Sequence, residues 1–207
     1  MVMLSFQDSV RLLGRYNISY CKNKIVKSKE EAVKAAKILG FPVVMKLVSE
    51  GVLHKTDVGA VKIALGDVES VEDAFDYFRK HFSNGQVIVQ KAAQGLEVIV
   101  GAKRDSQFGP TVVFGLGGIF VEAIKDVSLR VAPITRGDAL EMIHDLKSSV
   151  ILEGARGRKP VDINQLADIL LKVSKLMMKN KKIKELDLNP IIINEKSASV
   201  VDVRVIV

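Results

Sequence analysis

The sequence is poor in the residues that mark several common classes of protein. Its 207 residues include one cysteine, Cys21, so no internal disulfide and no cysteine-based metal cage can form. Tryptophan is missing, aromatic residues make up 5% of the chain, and no RNP-like or zinc-finger pattern occurs. The longest apolar stretch, roughly residues 110–121, contains three glycines and is too short to span a bilayer. No signal peptide opens the sequence. We therefore expect a cytoplasmic protein without membrane or nucleic-acid partners.

The charge of the chain excludes fewer classes of function than these absences do. The chain has 31 basic and 24 acidic residues, a formal net charge of +7 and a pI near 9.4. Such an excess suits either a solvated basic surface or a polyanionic partner, for example a nucleotide or RNA. Charge alone leaves these alternatives open.

Short β-rich runs alternate with capped helical stretches along the chain. Helices are predicted to begin at a capping residue followed three positions later by a polar or acidic residue. The predicted caps are Ser5, Ser28, Ser70, Thr135 and Asp162. Strands outnumber connecting helices, which favours an α+β fold over a regular βαβ array. We expect two mixed α+β subdomains, residues 1–91 and 92–207, with a ligand bound between them.

Two lysines lie inside apolar strands on either side of one polar loop. Alternation places Lys46 on the strand face shared by Val44 and Val48, and Lys62 lies in the following strand. Burying an ammonium is costly, so each lysine should reach a strand end, a carboxylate or an anionic ligand. Together they favour a phosphate site.

The loop between these strands carries His54, and two of its residues, Gly51 and Gly59, are glycines. An unperturbed imidazole has a pKa near 6.5, so much of it is neutral and nucleophilic at pH 7. A neutral imidazole can accept a phosphoryl group covalently. A histidine in a loop is also compatible with a plain surface role.

Near the C-terminus, Glu185, Asp187 and Asn189 alternate with apolar residues and so share one strand face. The chain then turns and returns in a second apolar run, which predicts a hairpin that brings Asp202 beside Asn189. A carboxylate with an amide oxygen suits Mg²⁺, which takes few protein ligands and completes its shell with water and nucleotide phosphates. Ordinary strand-end polarity is the other interpretation of this pattern.

A glycine-rich stretch at residues 115–118 is similar to a phosphate loop, but it lacks the spacing of the Rossmann and Walker motifs. It fits a tight turn or a close backbone crossing equally well.

Several motifs occur together in an order typical of one family. They are Lys46, residues 53–59 around His54, residues 95–101, residues 108–118 and residues 185–190. Over roughly residues 5–205 the chain resembles the β subunit of archaeal ADP-forming acyl-CoA synthetases, an ATP-grasp family related to succinyl-CoA synthetases.

The resemblance implies an ATP-grasp fold and a reversible ligase reaction, in which acyl-CoA, ADP and phosphate give a carboxylic acid, ATP and CoA. It implies Mg²⁺, with ATP or ADP as substrate. It also implies an α subunit that carries the CoA-binding and ligase domains, in an α₂β₂ assembly.

The resemblance also assigns roles to individual residues. His54 matches the histidine that relays the phosphoryl group, while Asn189 and Asp202 match the metal-binding pair. The positions that match nucleotide contacts are Lys46, Gln90, Lys91, Ala92, Ala93, Glu97 and Arg130, to which the strand argument adds Lys62. Ala60 departs from the family, which usually has a second glycine there.

The sequence is also compatible with two other functions. A stand-alone ATP-grasp carboxylate ligase would need neither the histidine nor an α subunit. A non-catalytic module that binds nucleotide or RNA would show binding without relay activity.

Overall fold

The computed structural model describes residues 2–48, 59–82, 84–118, 125–154 and 159–207. The chain divides into two compact units. The small unit is Cys21–Ala93, and the large unit combines Met1–Tyr20 with Gln94–Val207. The boundary near residue 93 lies close to the expected one, but the first 20 residues, which we assigned to the N-terminal subdomain, pack with the large unit. Their helix places Leu12 and Leu13 in the core of that unit.

The elements are as follows. The helices are α1 Phe6–Arg15, α2 Lys29–Leu39, α3 Val68–His81, α4 Arg136–His144 and α5 Ile163–Lys179, with a 3₁₀ turn at Ser149–Ile151. The strands are β1 Asn23–Val26, β2 Val43–Val48, β3 Val61–Leu65, β4 Gln86–Lys91, β5 Leu96–Asp105, β6 Gly109–Leu116, β7 Val127–Val131, β8 Glu185–Ile193, β9 Ala198–Val200 and β10 Val203–Ile206.

In the small unit, an antiparallel sheet of order β1-β4-β2-β3 is packed against α2 and α3. Its core comes from alternate strand residues, such as Val43, Met45 and Leu47, together with Phe75 and Phe78 of α3. Because alternation sends every second strand residue to the other face, the same strands carry a second set of side chains away from the helices.

In the large unit, the sheet has the order β10-β8-β5-β6-β7, and β9 also pairs with β8. All of these pairs are antiparallel. Helices α4 and α5 pack on the face that carries Val100, Val112 and Phe114. Leu170 and Val173 of α5 are fully buried against this face. No helix within the described residues is both long and apolar enough to cross a membrane.

Most predicted helix starts are confirmed. The Ser28 hydroxyl accepts the Glu31 N–H, although the Glu31 carboxylate takes the N–H of Lys27 and not that of Ser28. The prediction that Ser70 begins a helix was wrong by three residues. Asp67 is the cap, and Ser70 is the third helical residue, whose hydroxyl completes a capping box.

Asp126 fixes the backbone that follows α4. Its buried carboxylate accepts the N–H groups of Lys147 and Ser148, at 3.0 and 2.8 Å, and the Ser148 hydroxyl. Burial alone would raise the pKa of Asp126, but these hydrogen bonds together outweigh burial and hold the pKa below its ordinary value. The carboxylate therefore stabilises the fold only while it is ionised.

We predict that Asp126→Asn lowers the free energy of unfolding by about 2 kcal/mol at pH 7, because an amide N–H₂ group then faces backbone N–H donors. The contribution of Asp126 is fully present above the unfolded carboxyl pKa of about 4 and is lost as the pH falls through the lower folded pKa. Urea unfolding at pH 7 and at an acidic pH below the folded pKa of Asp126 measures this contribution.

Asp105→Asn is the matched control. Asp105 also accepts two successive backbone N–H groups, those of Gln107 and Phe108, but it lies at the surface. We expect Asp105→Asn to lower the free energy of unfolding by less than Asp126→Asn does. Equal losses for the two variants would show that burial of Asp126 contributes nothing.

Candidate functional site

Lys46 lies on the sheet face of the small unit that points away from the helices. Its neighbours in β2, Met45 and Leu47, fill the helix-covered core, and Lys46 pairs across the sheet with Ile88 of β4. The lysine is nevertheless only 4% exposed. A buried ammonium needs polar or anionic surroundings, which makes Lys46 a candidate anion-binding group.

Gln90 shares this face with Lys46. It pairs with Val44 of β2 and is 1% exposed. Because it lies diagonally across the strand pair from Lys46, the two polar side chains are separated by roughly 7–8 Å in standard sheet geometry. The structure thus brings together two of the predicted nucleotide contacts.

Lys62 lies on the opposite face, contrary to the expectation that it joins Lys46. It pairs with the core residue Met45, and its Nζ lies 3.6 Å from the ring centroid of Tyr77 in α3. The ring of Tyr77 stacks in turn on His81, with centroids 4.2 Å apart. The ammonium is thus held by a cation–π contact with a helix.

Three more of the predicted nucleotide contacts, Lys91, Ala92 and Ala93, have local roles in the small unit. Lys91 ends β4, and its Nζ donates to the carbonyl oxygens of Gly40 and Phe41, at 2.8 and 3.1 Å, just after α2. The N–H of Ala92 donates to Pro42, and Ala93 is exposed. The Lys91 side chain therefore binds backbone carbonyl groups just after α2. This leaves the backbone N–H and C=O groups of residues 91–93 as the means by which this segment could contact a ligand.

In the large unit, β8 places its polar residues on the sheet face away from α4 and α5. Leu186 and Leu188 point into the core, while Glu185, Asp187 and Asn189 alternate with them. Glu97 of β5 lies on this outer face too, since it alternates with the buried Val98. This confirms the predicted grouping of acidic and amide side chains along one strand.

The hairpin after β8 brings Asp202 beside Asn189. The Asn189 N–H donates to the Asp202 carbonyl oxygen at 3.3 Å, and Val203 pairs with Leu188. Among the described residues, no cluster of three or more histidine, cysteine or acidic side chains is arranged to hold a metal. The Asn189 amide and the Asp202 carboxylate are thus candidate oxygen ligands, a sparse set of the kind that suits Mg²⁺ rather than a metal held by an all-protein cage.

Asp187 is a further candidate for this site, and our sequence assignments left it out. Burial raises the pKa of this half-buried carboxyl, and the carboxylates of Asp202 and Glu185 raise it further. Arg204, whose guanidinium lies 3.8 Å away, only partly offsets these effects. A carboxyl with a raised pKa beside a candidate cation site is a functional candidate. Its strand alternation with Asn189 was the signal that could have identified it.

Arg130 does not lie on this outer face. It pairs with the core residue Val112, and its guanidinium binds Asp145 at 2.6 Å and approaches Glu141 at 3.9 Å. In the structure Arg130 therefore forms ion pairs with α4 and the residue that follows it, and its phosphate contact stays a prediction.

The glycine-rich stretch makes a close backbone crossing. The Gly117 N–H donates to the Glu97 carbonyl oxygen at 2.8 Å. A Cβ at Gly117 would lie 2.9 Å from the Cβ of Glu97, closer than real Cβ contacts come. Glycine is thus needed there for packing against the strand that carries Glu97. His54 and the rest of its loop, residues 49–58, lie outside the described residues.

Comparison with known proteins agrees with this arrangement. Residues 2–207 match the model of an ATP-grasp domain family. The chain is 48% identical to the β subunit of acetate–CoA ligase [ADP-forming] I of Pyrococcus furiosus, over 96% of this chain and 89% of that protein. It is 43% identical to acetate–CoA ligase [ADP-forming] I of Archaeoglobus fulgidus over 96% of its own length, but it spans only 30% of that longer protein.

A solved structure is similar over the same length. It is the dinucleotide-forming acetyl-coenzyme A synthetase 1 of Ca. Korarchaeum cryptofilum, in complex with coenzyme A and Mg-AMPPCP, its phosphohistidine segment pointing towards the nucleotide binding site. The TM-score is 0.87 at 41% identity, covering 99% of this chain and 92% of that one. The chain thus belongs to the ATP-grasp family, within the group formed by the β subunits of ADP-forming acetate–CoA ligases.

Proposed function

We propose that this chain is the nucleotide-binding subunit of an ADP-forming acyl-CoA synthetase, which catalyses the reaction of acyl-CoA, ADP and phosphate to acid, ATP and CoA. The observation that carries the proposal is the full-length match to the P. furiosus β subunit of an ADP-forming acetate–CoA ligase. The Asn189–Asp202 hairpin and the buried Lys46 supply the groups that such a subunit needs.

In this proposal, Lys46 binds a phosphate of the nucleotide, and Gln90 shares its face. Asn189 and Asp202 hold Mg²⁺, whose charge offsets that of the nucleotide phosphates when it is bound. Asp187 lies beside this pair, and burial, followed by the neighbouring carboxylates of Asp202 and Glu185, raises its pKa. Positioning and electrostatics therefore account for most of the catalysis by this subunit.

His54 is the proposed phosphoryl carrier. Its ring nitrogen forms a bond to phosphorus as the incoming donor releases the phosphoryl group. A terminal oxygen of ADP then attacks the phosphorus, the N–P bond breaks, and the imidazole returns to its neutral form. The similar Korarchaeum protein, whose phosphohistidine segment points towards its nucleotide site, supports this order.

The acyl and CoA chemistry is assigned to a separate α subunit, with CoA-binding and ligase domains, in an α₂β₂ assembly. The A. fulgidus relative supports a division of labour, because this chain matches only 30% of that longer ligase. The remaining length of such a relative has room for the steps that we assign to the α subunit.

We predict that Lys46→Gln weakens Mg·ADP binding at least about tenfold, because a buried charged contact to phosphate contributes more than a neutral hydrogen bond. Lys62→Gln is the matched control, since it removes the same charge from the neighbouring strand on the opposite face. Its binding should stay within about twofold. Isothermal titration calorimetry measures both, and equal losses would contradict the assignment to Lys46.

A second prediction concerns Asp187. Burial raises its pKa, so the ionised carboxylate costs free energy in the folded state as the pH rises through the folded pKa. Asp187→Asn should therefore raise the urea midpoint of the metal-free chain at pH 7. It should have no effect well below the ordinary aspartate pKa of about 4, where the group is protonated in both states.

The control for Asp187 is Asp168→Asn. Asp168 forms an exposed ion pair with Arg136 at 2.6 Å, so its removal should leave the midpoint unchanged or lower it slightly. A lower midpoint for Asp187→Asn at pH 7 would mean that its contact with Arg204 outweighs burial.

We predict that His54→Ala abolishes transfer of label from acyl-CoA and ³²P-phosphate to this chain, measured with a reconstituted α subunit. His81→Ala and His144→Ala are controls, because these two lie on helices α3 and α4. Both should be labelled like the parent chain. A His54→Ala chain that is labelled and turns over normally would disprove the relay.

A further inference from the structure

The large unit contains a polar cleft that lies away from the acidic outer face of its sheet. It lies where α1 and α5 end, and its volume is about 330 Å³. Six of its lining residues are polar: Arg15, Tyr16, Lys172, Lys175, Lys179 and Asn180. We propose that this cleft, which we call the cationic cleft, binds a compact phosphoryl polyanion such as pyrophosphate or the phosphate tail of a nucleotide.

The cationic cleft carries an excess of positive charge. Lys172, Lys175 and Lys179 are three and four residues apart, so they lie on one face of α5, and Arg15 joins them from α1. Among the described residues, none of these four cations forms an ion pair with a carboxylate. Four like charges around one cleft repel each other unless an anion enters.

The ends of the helices offset only part of this charge. Each C-terminus carries about half a negative charge, so two termini balance roughly one of the four cations. About three positive charges remain. That excess matches a polyanion better than a singly charged ion.

The cleft also contains a hydrogen-bond donor, the hydroxyl of Tyr16. The Asn180 side-chain Nδ2 donates to the Leu176 carbonyl oxygen at 2.7 Å, which fixes the orientation of the amide. The same nitrogen donates to the Tyr16 hydroxyl oxygen at 2.8 Å. Tyr16 therefore accepts from Asn180, and its own O–H proton is left to donate to an acceptor in the cleft. Tetrahedral phosphoryl oxygens supply such acceptors together with negative charge.

The polar groups of the cleft are fixed at the ends of two helices. Tyr16 caps α1, Asn180 caps α5, and Arg104 of β5 donates to the backbone carbonyl oxygens of Met177 and Asn180. The Asn180 amide is thus held by a backbone carbonyl of α5, and the Tyr16 hydroxyl is held in turn by that amide. A preorganised set of this kind fits a small ligand better than an extended nucleic acid, which needs a longer basic track.

The test uses the full chain without metal, titrated with pyrophosphate. Calorimetry gives the affinity, and amide NMR shifts locate the site. We expect shifts at residues 15–16 and 172–180, and at least tenfold weaker binding for the double variant Lys172→Gln/Lys175→Gln. Tyr16→Phe, which keeps the ring, should weaken binding about tenfold.

The matched control is Lys34→Gln/Lys37→Gln, which removes the same charge at the same spacing from exposed positions of α2. It should bind pyrophosphate at the cationic cleft like the parent. Tighter binding of pyrophosphate than of ADP would identify a free inorganic anion as the ligand, and the reverse would identify a nucleotide tail. Equal losses in the two double variants, shifts confined to other residues, or binding of an RNA oligonucleotide alone would overturn the proposal.

Discussion

The pairing of β8 with β5 and β10 is the constraint on which the candidate metal site depends. Leu186 and Leu188 are almost completely buried, so this pairing cannot slip without exposing them. A slip by one residue would also turn Asp187 towards the core, where an ionised carboxylate is costly. The buried apolar residues of β8 thus determine which face its polar residues occupy. The pairing of β10 with β8 continues through Val203 and Leu188, and this is sufficient to bring Asp202 beside Asn189.

The same alternation explains why basic residues close in sequence have separate roles. Lys46 and Lys62 lie on adjacent strands, yet one shares a face with Gln90 and the other contacts Tyr77. Arg130 likewise lies on the helix side of its sheet, where Asp145 neutralises it. Which face a charge occupies is decided by the core residues beside it, because their burial outweighs the preference of one solvated side chain.

Local patterns predicted much of this structure, since caps and strand alternation depend on residues a few positions apart. Ser28 with Glu31, and Asp187 with Asn189, are examples whose partners lie nearby in the chain. The tertiary contacts of Lys62, Lys91 and Arg130 were not predictable in this way. The partners Tyr77, Gly40 and Asp145 lie 15 to 51 residues away, and no local periodicity encodes such contacts. The cationic cleft was missed for the same reason, because it forms only when the ends of α1 and α5 meet.

The two polar sites of the large unit lie on opposite sides of its sheet. Asp187 is on the outer face, whereas the cationic cleft is built from helices on the core side. A sheet and a packed helix lie between them. One route by which an anion in the cleft can influence the candidate metal site is a connection through this packed structure. Arg104 offers such a connection, since it joins the end of α5 to β5, the strand that pairs with β8.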